Sequence, residues 1–320
     1  SGCDRRCSFC AIPYFRGSFI SRKPTEIIQE GKWLAQNGVS ELFLVSENTT
    51  SYGKDLGDLK LMEKILPEFG AIEGVERVRL SYLQPAEMRP SLIQAMIESE
   101  KVAPYFDLSF QHTSPTVLRR MRRFGDSEKF LHLITQIRAL SPEAGIRSNF
   151  IVGFPGETEE DFQETMQACT DLRFLAAYTF QYSKRPGTPA AEMPDQIPSE
   201  IVAERYTRLH KHLNDLSQSV NEEMIGKTVE VLVTDIDGSR ASGKSRDFRL
   251  VHFDSAQGLR PGDIAEIRIG DAKAHFILGE GVPSSVRHTR GGDAFESRKK
   301  EAESTGVMLG IPTLKSVAGK

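Results

Sequence analysis

The chain begins with SGCDRRCSFC (residues 1–10), which places Cys3, Cys7 and Cys10 within eight residues. Only one other cysteine, Cys169, occurs in the remaining 310 residues. Three thiols at a C-x3-C-x2-C spacing cannot all form disulfides within this group, because an odd number leaves one thiol over. Structural zinc needs four closed ligands, usually from two C-x2-C pairs, and the sequence has no second pair. Three thiolates on a four-iron cluster leave one iron open for an external ligand, so the spacing favours a catalytic iron–sulfur cluster over zinc.

The composition is that of an ordinary soluble globular protein. The chain has 320 residues, 39% hydrophobic and 27% charged, which is enough for two domains with sizeable cores. No apolar run approaches the roughly 18 residues that cross a bilayer, so no membrane segment is predicted. The few cysteines favour a reducing, cytoplasmic setting, and a net charge of −3 gives no general reason to expect nucleic-acid binding. Because Ser1 is not Met and lies inside a motif, we expect a fragment of a longer protein.

Helical patterns alternate with short apolar runs from residue 24 to about residue 183, which predicts an α/β fold with five parallel strands. Polar segments follow these runs: SENTTSYG (46–53), QHTSP (111–115), GFPGET (153–158) and YSKRPGTPA (182–190). Active sites of barrel folds lie at these strand ends. No Gly-x-Gly-x-x-Gly follows a strand, so a partial or full (β/α) barrel fits better than a dinucleotide-binding fold.

Three regions are predicted. Residues 1–225 form the barrel domain, which ends in a long amphipathic helix from about Ser199 to Met224. Residues 226–280 form a small all-β barrel of the OB type, in which eight Lys and Arg nearly balance nine Asp and Glu. Residues 281–320 are poor in large apolar side chains and are predicted to be a disordered tail.

Several motifs resemble the methylthiotransferase branch of the radical S-adenosylmethionine (SAM) superfamily. They are GCDRRCSFCAIPYFRG (2–17), SENTTSYG (46–53), FIVGFPGETEEDF (150–162) and FQYSKRPGTPA (180–190). The resemblance implies a partial (β/α) barrel followed by a TRAM-like β-barrel. It also implies one [4Fe-4S] cluster on Cys3, Cys7 and Cys10, with SAM on the open iron. Family members carry a second cluster, the sulfur donor, in an N-terminal domain. This sequence lacks that domain, and it also lacks the first barrel strand.

Two substrates are known within this branch: an aspartate of small-subunit ribosomal protein S-twelve, and an isopentenyladenosine of tRNA. CSFCAIP (7–13) and LSFQHTSPTVLRRMRR (108–123) resemble the ribosomal-protein enzymes. The expected partners are therefore ribosomal protein S-twelve or the ribosome, contacted by the TRAM-like domain, and an electron donor such as flavodoxin. We expect a monomer. The tRNA substrate remains an alternative, as does a ribosome- or RNA-binding module with a structural metal.

The resemblance also suggests side chains that contact SAM, each with a simpler structural alternative. Phe9 would lie against the adenine or only pack the loop, and His112 would line the barrel mouth or be structural. Gly153 would let a ligand approach the backbone or only form a turn. Ser46, Glu47 and Asn48 would accept a hydrogen bond from the methionine amino group or only form a turn. Ser148 and Asn149 would contact the ribose, unless Asn149 only caps the end of a strand. One arginine of RRMRR (119–123) would bind the SAM carboxylate, unless this segment is a solvated face. Cys169 is predicted to be a small buried hydrophobe.

Overall fold

A computed structural model of the chain describes residues 1–305, with side chains as far as Glu301. The helices are α1 (Ile12–Arg16), α2 (Pro24–Gln36), α3 (Leu61–Gly70), α4 (Pro90–Glu98), α5 (Pro115–Arg120), α6 (Ser127–Leu140), α7 (Glu159–Leu172), α8 (Ser199–Glu222) and α9 (Arg290–Thr305). The strands are β1 (Glu41–Leu44), β2 (Arg77–Leu80), β3 (Tyr105–Gln111), β4 (Gly145–Val152), β5 (Ala176–Gln181), β6 (Thr228–Asp237), β7 (Arg240–Ser245), β8 (Leu250–Asp254), β9 (Ile264–Ala272), β10 (Ile277–Gly279) and β11 (Ser285–Arg287). None of the helices in the described part combines the length and apolar character that a membrane span requires.

Strands β1 to β5 lie in chain order and run parallel, as the alternating sequence pattern predicted. β1 pairs with β2, and β3, β4 and β5 form a second sheet. Two parallel bridges, Val78 with Val102 and Leu83 with Leu108, connect the two sheets. Within the described residues β1 and β5 are the outer strands, so the five strands form an open, partial barrel.

Alternate side chains of each strand point to opposite faces of the barrel wall. Val78 and Leu80 of β2 belong to the apolar core that the strands share with the surrounding helices. The residues between and after them point inward, where Arg79 and Ser81 contact side chains of other strands rather than helices. We call this inner side the concave face. It is unusually polar, because fully buried Arg79 and Asp107 both lie on it.

Strands β6 to β10 form a separate closed barrel, which confirms the predicted all-β module. The strand order is β10-β8-β7-β6-β9, and an additional pairing of β10 with β9 closes the sheet on itself. Its interior is an independent apolar cluster that includes Val231, Phe253 and Ile267.

The β-barrel docks against the ends of the parallel strands that lie farthest from their polar loops. Residues 244–249, the end of β7 and its connection to β8, contact buried arginines at the beginning of β2. Arg77 Nη1 donates to the carbonyl oxygens of Lys244 at 2.9 Å and Ser245 at 3.0 Å. The guanidinium of Arg79 stacks over the ring of Phe248, 4.4 Å from its centre. These contacts close that end of the partial barrel.

The segment after Glu280 differs from the disordered tail that the sequence predicted. β11 pairs antiparallel with β9, and α9 follows it. The side chain of Asp263 is fully buried and accepts the backbone N–H of Thr289 at 3.1 Å and a hydrogen bond from the ring of His288 at 2.9 Å. The prediction of disorder is therefore wrong for residues 285–301, since polar side chains there satisfy a buried carboxylate. Residues 306–320 lie outside the described part.

Candidate iron–sulfur and SAM site

The three predicted cluster ligands lie on a loop that is fixed by backbone hydrogen bonds. Cys3 N–H donates to the carbonyl of Gly17 at 3.1 Å, and Cys10 N–H donates to the carbonyl of Cys7 at 3.2 Å. Gly2 has φ +84°, and a Cβ there would lie 2.1 Å from the Ser18 carbonyl oxygen. Only glycine fits this close approach, so the residue before the first cysteine shapes the loop.

The middle of the loop is anchored at Ser8, which is fully buried. Its backbone N–H donates to the carbonyl of Met121 at 3.1 Å, and its Oγ donates to the carbonyl of Arg120 at 2.8 Å. Its own carbonyl accepts the N–H of Ala190 at 2.9 Å. The segment between Cys7 and Cys10 is thereby held between the end of α5 and the segment after β5.

All three thiols are free, with Cys7 buried and Cys3 and Cys10 half-buried. Burial raises the pKa of both Cys3 and Cys10, and the nearby Cys7 raises each further. Thiols bind metal as thiolates, so loading the site with iron has to displace these protons. Arg123 lies closest to this charge, with its Nη1 3.7 Å from Cys7 Sγ.

Two buried donors beside the thiols, the Nε atoms of Arg5 and Arg123, have no hydrogen-bond partner among the described residues. Buried polar atoms are nearly always hydrogen-bonded, so orphaned cationic donors indicate a missing anionic group. A cluster held by three thiolates is such a group. The donor set therefore fits an iron–sulfur cluster on Cys3, Cys7 and Cys10.

A single metal ion fits less well. Among the residues with described side chains, no three His, Cys, Asp or Glu converge as ligands of one ion do. Tetrahedral zinc requires that convergence, whereas each thiolate of a four-iron cluster binds a separate iron. Cys169 supplies no fourth ligand, because it is completely buried in the apolar core, as the sequence predicted.

Phe9 packs against the glycine-rich loop that follows β4. Its ring centre lies 6.5 Å from that of Phe154, with the two planes nearly perpendicular. Gly153 has φ +75°, and a Cβ there would lie 2.4 Å from a methyl carbon of Val202, so the loop cannot carry a larger residue. The structure thus brings together two of the predicted SAM-contacting groups, Phe9 and the loop at Gly153.

The same loop is organised by Glu157, which was not among the predicted site residues. Its buried carboxylate accepts the backbone N–H groups of Gly153 and of Phe154, the latter at 3.1 Å. Arg205 of α8 lies 3.3 Å from the other carboxylate oxygen. Burial raises the pKa of Glu157 to about 7, although Arg205 and the two backbone donors oppose this shift. An acidic residue four positions after Gly153 is the signal that could have identified it.

The three candidates after β1 have different environments. Ser46 contacts Thr49, and the Asn48 amide donates to Glu87 at 2.9 Å, so both groups are engaged within the protein. Glu47 differs, because one carboxylate oxygen faces Arg16 at 3.5 Å while the other is buried and has no hydrogen-bond partner in the described part of the chain. Of the three side chains, Glu47 is therefore the one whose buried carboxylate oxygen is suited to accept a hydrogen bond from an ammonium group.

Glu87 is a second residue that the sequence analysis missed. Burial opposes its ionisation, but hydrogen bonds from Ser51 and Asn48 and the charge of Arg5 lower its pKa. Arg5 Nη2 lies 2.5 Å from Glu87 Oε1, and this pair links the cysteine loop to the segment after β1. Residue 87 follows no strand directly and carries no motif, so no local pattern marks it.

Two predicted SAM contacts are occupied elsewhere. His112 is completely buried, bonds Ser114 N–H at 3.0 Å and contacts Thr165, and burial lowers its pKa to about 3. Ser148 is also buried and donates to the carbonyl of Leu108 at 2.7 Å. The buried environments of His112 and Ser148 favour structural roles for both residues over contacts with SAM. Asn149, on the opposite face of β4, is half-buried on the concave face, where a ribose contact remains open to it.

The arginines of residues 119–123 point in different directions, which the sequence alone could not show. Arg123 points inward, and its Nη2 donates to Gln84 Oε1 at 2.8 Å in addition to its contact with Cys7. Arg120 faces outward and pairs with Asp195 at 3.4 Å. Arg123 is therefore the arginine of this segment that lies at the candidate site.

Comparison with known proteins agrees with this geometry. The radical SAM superfamily profile matches residues 1–169, more than half of the chain. The chain is 49% identical over 292 residues to the ribosomal protein uS12 methylthiotransferase RimO of Streptomyces avermitilis, covering 89% of this chain and 59% of that protein. It is 44% identical over 320 residues to the tRNA-2-methylthio-N(6)-dimethylallyladenosine synthase of Streptomyces griseus subsp. griseus, covering 97% of this chain and 63% of that protein. The chain thus spans less than two thirds of the length of these curated relatives.

A solved structure shares the fold. The radical S-adenosylmethionine methyltransferase TsrM of Kitasatospora setae, solved with cobalamin and a [4Fe-4S] cluster bound, superposes with a TM-score of 0.50 at 17% identity. The superposition covers 59% of this chain and 34% of that one. The profile match over residues 1–169, which include the cysteine loop and β1 to β4, establishes that the chain belongs to the radical SAM superfamily.

Proposed function

We propose that the chain is the radical-generating part of a methylthiotransferase that modifies an aspartate of ribosomal protein uS12. The observation that carries the proposal is the similarity to proteins of that name, which reaches 56% identity over 237 residues in Streptomyces coelicolor. The tRNA synthase is less similar, at 44%. The nearly balanced charge of the β-barrel supports a protein substrate, because RNA-binding domains usually carry an excess of basic residues.

In this proposal Cys3, Cys7 and Cys10 hold a [4Fe-4S] cluster, and the cationic side chains of Arg5 and Arg123 neutralise part of its charge. When bound, the cluster would supply the single-electron chemistry that generates a radical from SAM for removal of hydrogen from the substrate. The protein orients SAM and limits its contact with water.

The SAM contacts that we propose follow the open groups of the site. Phe9 and the Gly153 loop contact the adenine, Glu47 accepts from the methionine ammonium, and Asn149 bonds the ribose. Ser46 and Asn48 support Glu47 by fixing the segment after β1.

Sulfur transfer needs a second cluster, and this sequence cannot supply it. The chain contains four cysteines, of which three are assigned and the fourth is buried in the core. We propose that the second cluster is held by residues outside this sequence. We further propose a flavodoxin-type electron donor, contact of the β-barrel with the ribosome, a monomeric enzyme and, given a ribosomal substrate, a cytoplasmic location.

The test uses full-length enzyme, reconstituted anaerobically with iron and sulfide and incubated with SAM and a reductant. A uS12 peptide containing the target aspartate and a tRNA anticodon stem-loop are offered separately. The proposal predicts that the aspartate gains about 46 Da, the mass of a methylthio group replacing hydrogen, as measured by mass spectrometry. Modification of the stem-loop with no change in the peptide would overturn it. The Cys7→Ala variant is the matched control and should modify neither.

A further inference from the structure

A cavity of about 440 Å³ lies where β5, α8 and the β-barrel meet. Its walls carry several aromatic rings and five basic or imidazole side chains. The latter are Arg147, His210, Lys244, Arg249 and His275. No Asp or Glu is among the residues that line it. Arg147 and Arg249 each pair with an aspartate that does not line the cavity, Asp107 and Asp247 respectively. Lys244 adds a further cation, so the wall favours an anionic ligand.

Arg147 is held in place by neighbouring side chains of this cavity. Its Nη1 lies 2.6 Å from Oδ1 of Asp107, whose side chain is completely buried. The other carboxylate oxygen of Asp107 accepts the N–H of Tyr82 at 3.2 Å and the hydroxyl of Ser81. The ring of Tyr178 lies under the guanidinium, 4.4 Å away. Asp107 and Tyr178 thus fix the plane of Arg147 from two directions.

This arrangement leaves part of the guanidinium available. Arginine has five N–H donors, and Arg147 donates one to Asp107 and, at 3.5 Å, one to Asn149. Its side chain remains 19% exposed. A fixed, planar guanidinium with free donors matches a carboxylate, which it can bind through two parallel hydrogen bonds.

The position of Arg147 relates the cavity to the candidate radical site. Arg147, Asn149 and Ile151 are alternate residues of β4 and share its concave face. Ile151 packs in the apolar cluster that includes Phe9 and Phe154. Four residues of strand span about 13 Å, so a substrate side chain held at Arg147 lies below the SAM site and on the same face.

We propose that Arg147, fixed by Asp107, binds the carboxylate of the substrate aspartate and thereby selects aspartate over asparagine. This inference rests on the proposed function and adds the residue that determines its specificity.

The test compares peptides that carry aspartate or asparagine at the target position, with reconstituted full-length enzyme. Arg147→Gln should raise the KM for the aspartate peptide by about 10- to 100-fold, because charge-assisted hydrogen bonds are lost. The KM for the asparagine peptide should not rise. For Arg147→Lys, which keeps the charge without the planar guanidinium, the KM for the aspartate peptide should lie between those of the wild type and of Arg147→Gln. Arg22→Gln, which removes an exposed arginine that pairs with Glu30 elsewhere in the partial-barrel domain, is the control and should match the wild type.

Several results would overturn the inference. They are an unchanged KM for the aspartate peptide, an equal rise in the KM for SAM, or a loss of binding only for a tRNA stem-loop. Failure of both Arg147 variants to fold would show a structural role and would also contradict it. If the wild-type enzyme transfers no methylthio group, the proposed function fails. Fluorescence anisotropy of the two labelled peptides then still reports whether Arg147 distinguishes carboxylate from amide.

Discussion

Replacing Glu157 with glutamine should remove a specific pH dependence from the stability of the protein. Glu157 is buried, and its carboxylate holds the loop that packs on Phe9. Burial raises its pKa from 4.5 to about 7 in the folded protein. Between these two values the folded protein keeps a proton that the unfolded chain has released. The free energy of unfolding contributed by Glu157 therefore falls as the pH rises through this window.

The magnitude follows from the size of the pKa shift. A rise from 4.5 to about 7 corresponds to about 3 kcal/mol between the acidic and basic ends of the window. Glutamine resembles the protonated carboxyl group and does not titrate. The wild type should thus lose up to about 3 kcal/mol relative to Glu157→Gln between pH 4.5 and pH 7, with little further change above that range.

The assay is urea unfolding of both proteins at several pH values, followed by far-ultraviolet circular dichroism. The difference between the two proteins isolates Glu157, because all other titrating groups are shared. If the difference in the free energy of unfolding between the two proteins does not vary with pH, burial does not raise the pKa of Glu157 and the prediction is wrong. A difference of the opposite sign would show that the ion pair with Arg205 outweighs burial.

Three further predictions follow from the described contacts. Cys7→Ala should lose the reconstituted cluster, whereas Cys169→Ala, in the core, should keep it, as measured by iron and sulfide content; equal iron in both would contradict the ligand assignment. Arg79→Met should lower the free energy of unfolding by about 3–5 kcal/mol, because it breaks a buried ion pair. Arg240→Met, at an exposed arginine, should change the free energy of unfolding little. Equal urea midpoints for the two variants would contradict this prediction. A chain ending at Glu280 should melt at a lower temperature than the full chain, because it loses the strand and helix that pack on β9 and its neighbouring turn; an unchanged melting temperature would show that these elements contribute nothing.

The fold was predictable because its information is local. Each strand and helix of the partial barrel shows its own apolar periodicity, so the order and the number of strands follow from short windows of sequence. The closed β-barrel was predictable for the same reason. The segment of β11 and α9 was not, because its residues are polar and are ordered by contacts with Asp263, some 25 positions earlier in the chain.

The candidate site was predictable only where a motif is compact. The three cysteines stand within eight residues and carry their chemistry in their spacing. Arg5 and Glu87 are 82 residues apart, and their pairing depends on how the cysteine loop meets the segment after β1. His112 follows a strand, as a site residue would, but the packing of α7 buries it beside Thr165. Long-range packing decides such cases, and single-sequence patterns do not contain it.

We propose that Cys3, Cys7 and Cys10 hold a four-iron cluster whose open iron binds SAM. Electron paramagnetic resonance of this chain, reconstituted anaerobically and reduced, is recorded with and without SAM alongside metal analysis. We expect about four iron atoms per chain and a signal that changes when SAM is added. One zinc ion per chain with no iron, or an iron signal that SAM leaves unchanged, would contradict it.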